Sequence, residues 1–410
     1  MNNQSECIYD ACVIGAGASG LVAATVLASR GFHTILIEQN KKSGRKLYAT
    51  GNGRCNLANA VLSDSAYYNN SFAMSVVSKE SVKEMLAWLE GIGIPLTDRQ
   101  GYLYPQSMQA SSVVWALTDA ARLAGVEFLY ECRVEDVGTK EGTGGPVYTV
   151  RCAGKQEIRI TSSRLVLALG SPAAQELGAA KDRDIYRILE GLEIPYALFQ
   201  PALCPVETEE DLSALAGVRA RCTLSLDRTE QEPTRTSEEG EIQFTDYGIS
   251  GIVTFNLSTL AKEGDRFRIN LLPEWKDAGA VAGFLEQVSG ERSLYGALNG
   301  LLHEKICLHG IRKFYPEDTK RKLSACTREE LLRIAEYLMA FPITVKKLLG
   351  AQGQAGRGGI LTDSVDPATM QIRNTKGLAV TGELTEVTGR CGGYNLMYAV
   401  ISALRAGNSL

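Results

Sequence analysis

Three glycines, Gly15, Gly17 and Gly20, come directly after an apolar run at residues 8–14, and an acid, Glu38, ends a second apolar run at 34–37. Between them lies a stretch that reads as an amphipathic helix and stops at Gly31. Strand, glycine turn, helix, strand and acid, in that order, make a cradle for a dinucleotide. Glycines at this spacing allow the tight turn, a close backbone approach to a pyrophosphate, and tight packing of helix on strand. The helix start offers free N–H groups and a positive dipole end to the phosphates. Glu38 is spaced to accept hydrogen bonds from a ribose diol.

A second constellation lies near the other end of the chain. A short buried-type strand at 377–381 runs into Gly382 and Glu383, and Gly389, Gly392, Gly393, Tyr394, Asn395 and Leu396 precede a helix over about 397–404. Strand, acid, glycine turn and helix start form a site of the phosphate or ribityl type. A plain strand-to-helix connection with an N-cap is the alternative. Residues 44–59 are dense in glycine and polar groups and read as a functional loop. In it, Lys46 and Arg54 either balance a diphosphate, steer an anionic substrate, or stand as solvated cations. Cys55 and Cys391 sit in the two glycine-rich segments, as small buried residues or as a redox pair. Tyr394 is either a proton donor or a packing residue.

Those segments need elements to hold them. Helices are predicted over about 82–92 and 111–124, and strands over 126–130, 147–152, 157–161 and 164–169, with a turn at 142–146. From about 196 to 272 the pattern is β-rich, with strands at 221–226, 241–244, 249–257 and 266–272 and a long exposed hairpin loop at 227–240. From 277 to 339 it is helical, and Thr327 with Glu330 forms a capping box. The expected fold is α/β, with residues 1–190 and 342–410 making one nucleotide-binding domain interrupted by a β-rich domain at 191–275 and a helical domain at 276–341.

Composition narrows the function. The chain has 410 residues, 45% hydrophobic and 22% charged, with a formal charge of -4. That is the profile of a soluble globular protein with no global pull toward nucleic acid or anionic membrane. No apolar run is long enough to span a bilayer, and residues 1–6 lack the features of a secretory signal, so a cytoplasmic protein with reduced thiols is expected. The ten cysteines contain no C-x-x-C pair, and His303 and His309 fit no familiar zinc spacing, so no metal is expected.

The loop at 50–56 (Thr-Gly-Asn-Gly-Arg-Cys-Asn), the Gly-Gly-Tyr-Asn-Leu segment at 392–396, residues 244–251 and the segment 358–360 resemble a family of bacterial FAD-dependent oxidoreductases. That family includes aminoacetone oxidases and the reductase of bile-acid dienones in gut clostridia. The resemblance spans essentially the whole chain. It implies a glutathione-reductase-type Rossmann FAD domain built from both chain ends, with inserted β-barrel-like and small helical modules. Carried onto this sequence, the cofactor residues are Gly15, Gly17, Ser19, Gly20, Glu38, Gly51, Gly53, Arg54, Cys55, Asn56, Val134, Gly170, Glu383, Gly392, Gly393, Asn395 and Leu396. Ala18, Gln39, Lys46 and Gly382 complete the candidate set from their places beside these. The chain departs from the family pattern at 177–182 and 191–193, at Glu386, and at Ile252, where proline is common.

Flavin chemistry resides in the cofactor, so no catalytic residue is legible. A second glycine fingerprint for a nicotinamide cofactor is missing after Gly170, so NAD(P)H, if used, enters transiently. A small-molecule substrate is expected between the nucleotide domain and the inserted modules, with Tyr247, Ser250 and Tyr394 as candidate contacts. The favoured reaction is NAD(P)H-dependent reduction of an activated C=C bond in a conjugated carbonyl. The alternative is an aminoacetone-type amine oxidase producing peroxide. A nucleic-acid-modifying flavoprotein is a third class, opposed by the negative charge and the lack of a basic tail.

Overall fold

The computed structural model describes residues 6–68, 70–153, 157–227 and 237–410. The chain forms two compact units, Met1–Gln200 with Gln354–Leu410, and Pro201–Gly353.

The first unit is built on the strand Glu157–Leu167, which pairs in parallel with Glu6–Ile14 and, at its far end, with Leu378–Val380. Thr34–Ile37 and Glu127–Leu129 continue the parallel sheet beyond Glu6–Ile14. Gly145–Ala153 and Arg133–Gly142 add an antiparallel ribbon at the other edge. The parallel strands are apolar on both faces, with Ala11, Cys12, Val13, Val166 and Ala379 wholly buried, as a sheet covered on both sides demands. The helix Ala18–Ser29 is buried almost all the way round and is not the amphipathic surface helix expected. It packs on the C-terminal helix Tyr394–Ser409, where Gly407 makes the approach possible. A Cβ at Gly407 would lie 2.7 Å from the Val26 Cβ.

Several elements differ from the sequence reading. Arg133–Gly142 is a strand that was not predicted; it is an edge strand rich in charge, with Val134 and Val137 as its buried positions. Charge on an edge guards against unwanted pairing and also erases the alternating pattern. The runs at 157–161 and 164–169 are one strand, Glu157–Leu167. The expected strand at 249–257 is a short strand, Gly248–Ser250, followed by the helix Ile252–Ser258. Gly251, at φ +100°, breaks the strand, and a Cβ there would lie 2.8 Å from the Glu241 carbonyl oxygen.

The second unit contains a closed antiparallel barrel of Val206–Thr208, Gly248–Ser250, Ser237–Phe244, Arg219–Asp227, Arg266–Asn270 and Phe341–Leu348. The helices Ala278–Gln287, Leu294–Leu298, Glu304–Phe314 and Arg328–Met339 share one hydrophobic core with it. The β-rich and helical segments therefore form one unit, not two. The boundaries move for the same kind of reason. Tyr196–Ala202 pairs with Ala355–Ile360, which carries residues 191–200 into the first unit, and Phe341–Leu348 closes the barrel by pairing with Val206–Thr208. The loop expected at 227–240 falls largely on residues 228–236, outside those described; Asp227 and residues 237–240 are strand. The capping box is present: Thr327 accepts from the Glu330 N–H, and the Glu330 carboxylate accepts from the Thr327 N–H.

This second unit should have an acid-sensitive element. Burial pushes the His309 imidazole below its ordinary pKa, helped by Lys313 and Arg312 and opposed by Asp211. The folded unit therefore keeps His309 neutral, while the unfolded chain takes up a proton as pH falls below about 6.5. Stability is fully present above that pH and is lost as pH falls through the depressed folded value. The melting temperature should fall between about pH 7 and pH 5, and His309→Gln should flatten that part of the profile. An unchanged slope in the variant would assign the acid sensitivity to other groups.

Candidate functional site

The first glycine turn is shaped by two different demands. A Cβ on Gly15, which sits at φ +104°, would lie 2.4 Å from the Ala168 carbonyl oxygen, and one on Gly20 would lie 1.7 Å from that of Gly15. Both glycines let the helix and neighbouring strands touch. Gly17 is different: a Cβ there would meet nothing within 4 Å. It is the N-cap of Ala18–Ser29, makes no side-chain cap, and is followed by no acid in the first turn. Helix N–H groups and open space in front of them are what a pyrophosphate requires.

Glu38 is buried at the end of Thr34–Ile37, with its Oε2 accepting from the Ala16 N–H at 2.9 Å. That bond ties the acid to the glycine turn. Its Oε1 accepts from the Asn40 N–H and Nδ2 at 2.8 and 2.6 Å. Each carboxylate oxygen has lone pairs to spare for a ribose hydroxyl. The Cys132 N–H donates to the Glu38 carbonyl at 3.0 Å, so Val134, two residues on, starts its strand beside the acid. Gln39 turns away, donating from Nε2 to the Gly178 carbonyl at 2.8 Å. It anchors the 171–181 loop, one of the segments that departs from the family pattern.

The C-terminal segment converges on the same turn. Gly382, at φ +65°, lies so close that a Cβ would be 2.9 Å from Ser19 Oγ. Glu383 Oε2 accepts from Lys46 Nζ at 2.7 Å and from Ser171 Oγ at 3.3 Å. A Cβ on Gly170 would come within 3.9 Å of the same oxygen. Four candidates from three distant segments, Lys46, Gly170, and Gly382 with Glu383, thus meet beside the phosphate-type turn. Ser171, which was not singled out, links them to the Gly356 N–H at 3.2 Å.

The second glycine turn opens the helix Tyr394–Ser409. Gly393, at φ +93°, is its N-cap without a side-chain cap, and a Cβ there would lie 2.4 Å from the Ala58 carbonyl oxygen. Asn395 clamps Gly389, accepting from its N–H at 2.7 Å and donating to its carbonyl at 2.8 Å. Asn59, missed as a site residue, is buried and donates from Nδ2 to the Gly392 carbonyl at 2.9 Å. Only its place at the end of the glycine-rich loop pointed to it. The Tyr394 hydroxyl donates to the Val61 carbonyl at 2.9 Å and the ring is buried, which is the packing arrangement. Leu396 packs against the core.

In the 50–56 loop, Gly51, Asn52, Gly53 and Cys55 all have positive φ, and the Cys55 N–H closes the loop on the Thr50 carbonyl at 3.0 Å. The Asn56 amide can donate to the Ala58 and Leu103 carbonyls. Burial pushes the fully enclosed Cys55 thiol up to about 11, so it is not a ready thiolate at neutral pH. Among the described residues no two cysteines, Cys55 and Cys391 included, are joined in a disulfide. Arg54 is exposed and lines a cleft described below. Tyr247 and Ser250 belong to the barrel unit; the Tyr247 carbonyl accepts from the Thr208 N–H, and Ser250 pairs with Gln243. Among the described residues no group of His, Cys, Asp and Glu could hold a metal, and no helix is long and apolar enough to cross a membrane.

These residues fit FAD. One uncapped helix start faces open space beside a buried acid, and a second uncapped helix start lies at the glycine-rich C-terminal turn. Comparisons with known proteins agree. The model of the HI0933-like protein Rossmann domain matches residues 9–409. The 3-dehydro-bile acid delta(4,6)-reductase of Clostridium scindens is 32% identical, covering 97% of this chain and 98% of that protein. The ribosomal RNA dihydrouridine synthase of Escherichia coli is 27% identical over 96% of each chain. A flavocytochrome c3 fumarate reductase in its open conformation shares the fold, with a TM-score of 0.52, 14% identity, and coverage of 99% of this chain and 78% of that one. The chain belongs to the HI0933-like Rossmann-domain family and is an FAD-dependent oxidoreductase.

Proposed function

We propose that the protein reduces an activated C=C bond of a conjugated carbonyl compound, a steroid-like dienone, with NAD(P)H as a transient reductant. The observation that carries this reading is the end-to-end match, at 32% identity, to a protein named as a delta(4,6)-reductase. The site residues are compatible with it. FAD, when bound, supplies hydride transfer. The N–H groups at the start of Ala18–Ser29 hold the pyrophosphate and Glu38 the ribose diol. The uncapped start of Tyr394–Ser409 offers donors and a positive dipole end to negative charge. Lys46 and Ser171 hold the Glu383 carboxylate in place. Tyr394, whose hydroxyl donates to the Val61 carbonyl, is a proposed substrate contact. Tyr247 and Ser250 remain the proposed substrate contacts on the barrel unit.

A second reading has a specific observation behind it, the relatives named as ribosomal RNA dihydrouridine synthases. The uracil C5=C6 bond is also conjugated to a carbonyl, so the same hydride step serves both. A formal charge of -4 weighs against a polyanionic substrate. The test is anaerobic: add NADH or NADPH to the oxidised protein, follow flavin bleaching, then add a steroid dienone and analyse the product. Reoxidation by the dienone with saturation of one C=C bond is the expected result. Reoxidation only by unmodified ribosomal RNA would install the second reading. Peroxide formed from aminoacetone in air, with no nicotinamide consumed, would make the protein an amine oxidase.

A further inference from the structure

The first unit holds a second feature suited to a ligand. A cleft of about 800 Å³ is lined by Arg54, Asp98, Arg99, Tyr102, Tyr104 and Met108, among others. Among the described residues neither Arg54 nor Arg99 has a carboxylate within ion-pair distance. The one acid of the lining, Asp98, accepts the Gly101 N–H at 2.7 Å and closes the hairpin of Leu96–Arg99 and Tyr102–Pro105. The lining therefore holds two guanidinium groups and one carboxylate, a formal charge of +1.

The cleft lies beside the segments assigned to the cofactor. Ala58–Asn59 pairs with Tyr102–Pro105, and Asn59 carries the Gly392 carbonyl. A Cβ on Gly392 would lie 3.0 Å from Tyr102 Cε1, and one on Gly51 3.4 Å from Tyr104 Cε1. The aromatic wall thus touches both the C-terminal glycine turn and the 50–56 loop. Gln100 and Met108, both in the lining, sit in the left-handed region, at φ 58° and 53°. Bulky residues rarely hold that conformation, and such outliers cluster at ligand sites.

We propose that this cleft seats the anionic end of a small, flat molecule whose other end reaches the flavin. Guanidinium forks bind carboxylate and phosphate, tyrosine faces cover an apolar ring system, and the methionine adapts to its shape. The proposal rests on the reading that the 392–396 segment faces the flavin, and it deepens the proposed function. A carboxylate on the dienone and the phosphates of a nicotinamide cofactor share this chemistry. A long RNA strand fits less well, because two arginines beside an acid do not make the extended cationic track that follows a backbone.

The test is calorimetric titration of the FAD-loaded protein without reductant, so binding is read apart from turnover. The probes are a conjugated steroid dienone with a free carboxylate, its methyl ester, and ADP. The acid should bind about tenfold or more tightly than the ester, as expected for charge-assisted hydrogen bonds. Arg99→Ala, on an exposed hairpin, should erode that preference, Arg54→Ala/Arg99→Ala should remove it, and Arg99→Lys should restore part of it. Circular dichroism and melting temperature confirm folding, and each variant is reconstituted with FAD before titration. If the acid preference is absent but ADP affinity falls in the same variants, the anion is the nicotinamide cofactor's phosphate. If the acid binds as expected yet the separate anaerobic assay with NADH or NADPH shows no reduction, the cleft stands and the proposed reaction falls. Unchanged acid preference and ADP affinity in the double variant would overturn the proposal. So would a uridine-containing oligonucleotide that alone binds and depends on both arginines.

Discussion

Gly17→Val should yield a folded, colourless protein. A Cβ at Gly17 meets no protein atom within 4 Å, so the added side chain grows into the space where the helix start is shaped to receive the pyrophosphate. Far-ultraviolet circular dichroism should match the parent, and flavin absorbance should be lost even after incubation with excess FAD. Gly20→Ala should fail in the opposite way. Its Cβ would lie 1.7 Å from the Gly15 carbonyl oxygen, which neither strand nor helix can vacate without unpacking. Such overpacking costs at least about 1–3 kcal/mol, so the yield of folded protein should drop. A yellow Gly17→Val protein with normal FAD affinity would remove the pyrophosphate from this turn.

The second large effect concerns the Lys46–Glu383 pair. At 2.7 Å, with the side chains 30% and 19% exposed, it is enclosed enough that a lone survivor is poorly solvated and open enough that screening trims its strength. Glu383→Ala should weaken FAD binding by about 1–3 kcal/mol, the cost of leaving buried polar groups without a partner. Lys46→Met should act in the same direction. The double variant should be less impaired than the sum, with a coupling of about 0.5–3 kcal/mol. FAD affinity, measured by flavin fluorescence on release, is the readout. Full FAD occupancy with a large loss of turnover would instead make Glu383 a participant in the chemistry.

The two glycine turns were legible as turns at helix starts because a tight turn with close backbone approach imposes residue type and spacing on a short segment. The place of Glu38 at a strand end was legible from its spacing. What joins the turns was not. Lys46 and Glu383 are 337 residues apart, and they meet because Leu378–Val380 pairs beside Leu165–Leu167, a crossover that no local pattern encodes. Asn59 and Ser171 act through side-chain hydrogen bonds to residues distant in sequence, which leave no periodicity. Arg133–Gly142 escaped because its charges suit a sheet edge. Ile252–Ser258 was misread because a short apolar run suits strand and helix alike, and Val253 with Leu257 at helical spacing was the overlooked sign. Of the barrel strands, Arg219–Asp227, Ser237–Phe244 and Arg266–Asn270 were visible, while Val206–Thr208 and Phe341–Leu348 were not; the fusion with the helices into one core was not visible either, since that depends on which faces meet.

The pairing of Leu165–Leu167 with Leu378–Val380 also sets an order of events at the ribosome. The barrel strands and their helices lie within one continuous stretch, so that unit is complete once Phe341–Leu348 has emerged. The nucleotide-binding sheet cannot finish until Leu378–Val380 and Tyr394–Ser409 follow. Translation of Pro201–Gly353 takes about 10–30 s. Through that interval the apolar edge at Leu165–Leu167 lacks its partner strand and is open to mispairing. Synthesis therefore leaves that edge unpaired for an interval before the nucleotide-binding sheet closes, and a cofactor that needs both glycine turns can be held only after Tyr394–Ser409 has emerged.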